Sequence, residues 1–222
     1  MNKTAIIFGA SGLVGTELHR LLLEQEQYEK VIVFVRKTLG ISHPKLKEIV
    51  GDYEHIDTYK EQFIADDVFC CLGTTIKKAK TKAAMRKVDV EYPLQIANIC
   101  KEMGATQYIL VSASNAKENS FFFYTRIKGE VEKKLKQVGY DALLIVRPSL
   151  LLGDRQEFRF GEELATWISV KMPFLFRGPL SKHRPIEAKD VARAMFVLAQ
   201  QSHHGNFTYT SEELRVLSKK QV

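Results

Sequence analysis

Ile6-Ile7-Phe8-Gly9-Ala10-Ser11-Gly12-Leu13-Val14-Gly15 is the stretch whose reading decides the fold. A short apolar run breaks into glycines at every third position, and Leu13, Leu18, Leu21 and Leu22 then recur at helical spacing. A strand that turns into a helix over such glycines lets backbone approach a pyrophosphate, while the helix N-terminus offers free N–H groups and a positive partial charge. Glycines at this spacing also mark ordinary strand-to-helix turns, so the rest of the chain has to decide between the two readings.

Outward from that stretch, strands and helices alternate. Val31-Ile32-Val33-Phe34-Val35 is a continuous apolar run bounded by charges, the mark of a parallel strand covered on both faces. Leu46 to Val50 is a weaker third strand ending at Gly51-Asp52, and Asp67 to Gly73 a clear fourth. A polar, lysine-rich connection from Thr74 to Lys82 precedes a helix over Ala83 to Met103, a fifth strand at Tyr108 to Val111, a helix over Phe121 to Val138 and a sixth strand at Ala142 to Val146. The alternation predicts an α/β fold of the Rossmann kind, a doubly wound parallel sheet. Beyond Arg147-Pro148 the pattern loosens: Gly161 to Lys171 and Ala188 to Gln200 read as helices and Phe207 to Tyr209 as a last short strand. With no linker or repeat, residues 1–222 read as a single NAD(P)-binding domain, of which about residues 149–187 form a small substrate-side cap.

Composition narrows the class. With 45% apolar and 27% charged residues, the chain of 222 can bury a sizeable core, and its net charge of +7 suits an anionic ligand. Cys70, Cys71 and Cys100 sit in apolar context and read as packed thiols in a reducing compartment, not as a disulfide framework or a zinc site. The first strand begins by about residue 4, leaving no room for a signal peptide, and no apolar run reaches the roughly twenty residues of a membrane span, so the expected location is cytoplasmic. The six histidines show no ligand spacing, and no metal is assigned.

Several positions carry chemistry on this framework. The second strand ends in Arg36-Lys37 with no acid, which suits the 2′-phosphate of NADPH (NADP), although such residues also form the solvated lip of a strand. Asp52 is placed to reach the adenine amine or to serve as a turn residue, and Leu72-Gly73 ends the fourth strand at the carboxyl edge, where backbone can lie against ribose and nicotinamide. Tyr124 and Lys128 stand one helical turn apart on one face, where an ammonium favours the phenolate and so fits the hydroxyl for acid–base work. Ser112, leaving the fifth strand, is placed to hydrogen-bond a substrate carbonyl.

Together Gly9-x-x-Gly12-x-x-Gly15, Ser112, Tyr124-x-x-x-Lys128 and Arg147-Pro148 resemble the short-chain dehydrogenase/reductase superfamily in its atypical and extended branch. Cys70-Cys71-Leu72-Gly73-Thr74-Thr75, Val88-Asp89, Lys128-Gly129-Glu130-Val131-Glu132 and Gly153-Asp154-Arg155-Gln156-Glu157 resemble, more closely, the Tat-interacting-protein oxidoreductase family. The resemblance implies that Gly9, Ser11, Gly12, Leu13 and Val14 hold the pyrophosphate on the loop that Gly15 closes, and that Arg36 and Lys37 hold the 2′-phosphate. It also implies that Tyr124 donates the proton, that Lys128 tunes it and binds the nicotinamide ribose, and that Ser149 and Leu150 border the nicotinamide. Where relatives often show a serine pair, this chain has Ser112-Ala113-Ser114; Ser112 is the favoured one.

Lys77, Lys78, Lys80, Lys82, Arg86 and Lys87 crowd the connection after the fourth strand, either as a solvated run or as an attractor for an acidic substrate, and without interleaved aromatics they do not read as a nucleic-acid site. Phe121-Phe122-Phe123 reads first as core packing, with a substrate wall or a subunit contact as alternatives, and Asp190 as a helix cap. The expected activity is NADPH-dependent reduction of a small carbonyl compound; the rival is an NADPH-responsive regulatory protein. Sugar-nucleotide epimerase chemistry ranks below both, because extended relatives use a larger cap.

Overall fold

The computed structural model describes residues 2–153 and 184–220. The expected helix over 161–171, the run 154–157 and most of the expected cap over 149–187 lie outside the described residues. In chain order the described elements are β1 (Lys3–Phe8), α1 (Leu13–Glu24), β2 (Tyr28–Val35), β3 (Leu46–Val50), a pair of 3-10 turns over Tyr53–Gln62, β4 (Asp67–Cys70), α2 (Ile76–Ala79) and α3 (Lys82–Arg86). A π turn (Lys87–Glu91) follows, then α4 (Tyr92–Glu102), β5 (Gln107–Val111), α5 (Phe123–Val138), β6 (Ala142–Arg147), β7 (Leu151–Leu152), β8 (Ile186–Glu187), α6 (Ala188–Ala199), β9 (Gly205–Thr210) and α7 (Ser211–Leu217).

Seven strands form one sheet in the order β3-β2-β1-β4-β5-β6-β9, every neighbouring pair parallel. This is the Rossmann-like α/β arrangement, with the order reversing between β1 and β4. β1 lies at the centre, with Ile6 opposite Ile32 on one side and Val68 on the other. Alternation along β1 feeds two cores. Ala5 and Ile7 pack with Leu18, Leu22, Val191 and Met195 under α1 and α6, whereas Ile6 and Phe8 pack with Phe34, Phe63, Ile96 and Val131 under α4 and α5. Both faces are covered, which is why the strands read as continuous apolar runs.

The differences from the expected elements are local. The single helix expected over 83–103 is α3 and α4 joined through the π turn, and a short α2 forms within the connection expected to be irregular. Helix α5 begins two residues late, at Phe123, and ends on Gly139 at φ +76°, a left-handed stop that glycine adopts without a Cβ penalty. Asp190 is not the cap of α6: Glu187 holds that position, and Asp190 lies in the first turn, where a carboxylate favours the helix dipole. The closing helix α7, unforeseen in the sequence, starts in a capping box between Thr210 and Glu213.

Candidate functional site

The opening glycines make a turn with no room for a side chain at Gly9 or Gly15. Gly9 sits at φ +86°, and a Cβ there would lie 2.8 Å from the carbonyl carbon and oxygen of Cys71. A Cβ on Gly15 would lie 2.1 Å from the Gly9 oxygen, and the Gly12 N–H donates to that same oxygen at 2.9 Å. The turn therefore folds β1 into α1 flat against the strand end of β4. Among the described residues, the leading N–H groups of α1 have neither a side-chain cap at Gly12 nor an acid in the first turn. An anion fits there: among the described residues the helix start lacks the side-chain cap that helices ordinarily recruit.

A cleft of about 1440 Å³ opens on this turn, at the point where the strand order reverses. Gly9, Ser11, Gly12, Leu13, Arg36, Asp52, Leu72 and Gly73 border it, as do Thr16, Thr74, Lys78 and Tyr92. Of the remaining expected cofactor residues, Val14 and Gly15 are buried beneath the turn, and Lys37 is exposed away from the cleft. Ser149 donates its hydroxyl to the carbonyl of Arg184 at 2.5 Å, and Leu150 accepts the N–H of Ile186 at 2.9 Å. Both therefore serve the β7–β8 pairing, and Leu152 and Gly153 border the cleft instead. Asp52 accepts the Glu54 N–H at 3.1 Å, capping the 3-10 turn, while still bordering the cleft. Beside Arg36, Tyr53 stacks on Tyr92 with ring centres 5.3 Å apart, and its hydroxyl donates to the Phe34 carbonyl at 3.2 Å. That aromatic floor carries no motif and is invisible in the sequence.

Tyr124 lies in the first turn of α5, and the Nζ of Lys128 stands 6.0 Å from its ring centre. Lys128 is buried, and its ammonium lies 2.7 Å from Oδ1 of Asp89. Burial, the largest single influence, would lower the lysine pKa; the Asp89 charge and hydrogen bond, together with the neighbouring Tyr124 and Cys70, outweigh it and hold Lys128 above its ordinary value. The other carboxylate oxygen of Asp89 accepts the Thr74 N–H at 3.0 Å. A Cβ on Gly73 would lie 3.5 Å from Asp89 Oδ1 and 3.8 Å from Lys128 Nζ, so the pair meets the cleft through Gly73 and Thr74. Asp89 is the residue that sequence reasoning missed as part of the site.

Ser112 is directed elsewhere. It is buried, and its hydroxyl donates to Oε1 of Glu132 at 2.5 Å, while Arg147 grips the same carboxylate through Nε at 3.0 Å and Nη2 at 2.5 Å. Its single proton is committed to a buried carboxylate, which corrects the expectation that it holds a substrate oxygen; Ser114 is half-buried. Phe121 and Phe122 are 93% and 72% exposed, so the expected core packing holds only for Phe123. Much of the basic run is engaged: Arg86 pairs with Glu91 and Glu130, Lys87 with Glu54, and Lys82 lies over the Phe123 ring. Burial pushes all three thiols up, away from nucleophilic chemistry.

A family model described as NAD(P)H-binding matches residues 9–201. The chain is 40% identical to Protein HTATIP2 of Rattus norvegicus over 168 residues, 74% of this chain and 69% of that protein. It is 30% identical to the mitochondrial Protein FMP52 of Candida albicans over 208 residues, 91% of this chain and 90% of that protein. Among solved structures, WbmH of Bordetella bronchiseptica in complex with NAD+ superposes with a TM-score of 0.71 at 17% identity, over 95% of this chain and 76% of that one. MoeE5 in complex with UDP-glucose and NAD superposes with a TM-score of 0.69 at 16% identity, over 97% and 80%. Relatives from Eremothecium gossypii, Aspergillus clavatus and Saccharomyces cerevisiae are also named mitochondrial FMP52 proteins. These names overturn the cytoplasmic expectation, since reduced buried thiols are equally compatible with a mitochondrial protein. No helix among the described residues is long and apolar enough to cross a membrane. The uncapped glycine turn, the cleft at the switch point and the match over 9–201 together show that the chain belongs to the NAD(P)H-binding family, in its oxidoreductase-like group with HTATIP2 and FMP52.

Proposed function

We propose that the protein is an NADPH-dependent oxidoreductase that reduces a small carbonyl compound. The observation that carries this reading is the buried, charged Lys128 beside Tyr124, meeting at Gly73 and Thr74 the cleft into which α1 opens. The uncapped first turn of α1, with Ser11, Gly12 and Leu13, binds the pyrophosphate, and Arg36 attracts a 2′-phosphate at the rim. NADPH held there by these residues would supply the hydride that the carbonyl carbon takes up. Tyr124 donates its hydroxyl proton to the carbonyl oxygen as the alcohol forms, and solvent returns that proton to the phenolate. The fixed positive charge of Lys128 favours the phenolate while it exists, and its N–H groups bind the nicotinamide ribose.

Stopped-flow oxidation of NADPH against a panel of aldehydes, ketones and quinones tests this. Turnover is expected with at least one class, and Tyr124→Phe should retain NADPH binding while losing turnover about 100-fold or more. Full turnover in Tyr124→Phe with a substrate of the parent chain defeats the mechanism. One observation favours a second reading, an NADPH-responsive regulatory protein: the commitment of Ser112 to Glu132 leaves the serine of the Ser, Tyr, Lys set away from substrate. Tight NADPH binding without oxidation across the panel, with a partner captured only when nucleotide is present, would select it.

A further inference from the structure

Asp89 owes its position to the π turn over Lys87–Glu91, a widened helical turn of the kind that recurs at functional sites. It is fully buried there, yet both of its oxygens have partners: Oδ1 the Lys128 ammonium at 2.7 Å, Oδ2 the Thr74 N–H at 3.0 Å. One carboxylate thus ties α5 to the loop that follows β4. Among the described residues, the titratable groups facing Lys128 are Asp89, Tyr124 on its own helix and Cys70 on β4. Burial holds the Cys70 thiol neutral, and of these three groups Asp89 is the carboxylate.

We propose that Asp89 is a positioning residue: it keeps the buried Lys128 ammonium charged and fixed beside Tyr124, and it clamps the Thr74 backbone at the cleft edge where the nicotinamide ribose binds. For the role of Lys128 the inference rests on the function proposed above. Without Asp89 the lysine is a buried cation with no carboxylate facing it among the described residues, and shedding its proton is the cheapest relief. A neutral amine offers the ribose fewer donors and gives a phenolate no electrostatic support.

Asp89→Asn tests this, because asparagine keeps the shape and an oxygen for the Thr74 N–H while removing the charge. In the full chain labelled with 15N-lysine, the Lys128 ammonium signal, assigned by its loss in Lys128→Arg, is expected to persist to about pH 10 or beyond, where free lysine titrates. In Asp89→Asn it should titrate at least one pH unit lower. An unchanged titration overturns the proposal. Calorimetric titration with two ligands supplies a second readout: Asp89→Asn should weaken NADPH about 10-fold and leave 2′,5′-ADP, which lacks the nicotinamide ribose, within 2-fold of the parent chain. Equal loss of both ligands marks a folding defect and overturns positioning. Failure of the parent chain to bind either ligand defeats the cofactor reading, while the lysine titration still decides the role of Asp89 as counter-charge.

Discussion

Gly129 shows how a missing methyl group holds a site in place. It lies in the middle of α5, and a Cβ there would stand 2.2 Å from the Glu118 nitrogen and 2.3 Å from the Lys117 carbonyl carbon. The 117–118 loop therefore rests directly on the helix that carries Tyr124 and Lys128. Alanine is the better helix former by about 1 kcal/mol, but overpacking against backbone costs more, so Gly129→Ala should lower stability by about 2 kcal/mol in urea unfolding. A gain in stability would show that the loop does not rest there. His19 supplies a pH-dependent counterpart. Its Nδ1 donates to the Gly15 carbonyl at 3.0 Å in a buried setting, and burial lowers its pKa below the usual histidine value. The folded chain thus binds this proton less readily than the unfolded one, so the stability contribution is full above about pH 6.5 and is lost as pH falls through the folded pKa. The urea midpoint should drop between about pH 7.5 and pH 5.5, and His19→Leu should flatten part of that slope; an unaltered slope would assign it to other groups.

At the scale of elements, the end of the sheet remote from the cleft is locked by polar contacts. Asp67 on β4 accepts the Tyr28 hydroxyl at 2.6 Å, the Gln107 amide at 2.8 Å and the Lys3 ammonium at 3.2 Å, joining β1, β2, β4 and β5. Lys3 and Gln107 also donate to the Ala199 carbonyl, which fastens the C-terminal end of α6 to the same point. Tyr28→Phe removes one donor from a buried carboxyl and should cost about 1.5–3 kcal/mol in thermal or urea unfolding, without weakening nucleotide binding at the opposite end. Strands and most helices were legible because each carries its own period, and Tyr124 with Lys128 because a pair four residues apart on a helix is a local fact. Asp89 and the Ser112–Glu132–Arg147 cluster were not. Each depends on elements distant in sequence meeting in space, and the π turn that aims Asp89 is a local change of helical pitch with no residue signature of its own.

The molecule as a whole places one ligand cleft across parts of the chain far apart in sequence. The β1–α1 turn, the strand ends at Arg36 and Gly73, and the returning segments Leu152–Gly153 and Glu187–Lys189 all border it. A nucleotide bound there bridges the core under α1 and α6 to the core under α4 and α5, so binding reports on global unfolding and not on a single loop. Saturation to 100 times the dissociation constant adds about 2.7 kcal/mol, which for a chain of this size corresponds to a rise of about 5–10 °C in Tm. The 2′-phosphate decides how this stabilisation divides between cofactors. Arg36 borders the cleft at the end of β2, where the proposed function puts that phosphate, whereas Lys37 does not border it, so on that proposal NADPH should raise Tm several degrees more than NADH at equal concentration. Arg36→Ala should erase that difference by lowering only the NADPH response, and Lys37→Ala should leave it intact. Equal shifts for the two nucleotides in the parent chain would mean that Arg36 is merely a solvated strand end and that the cleft does not read the 2′-phosphate.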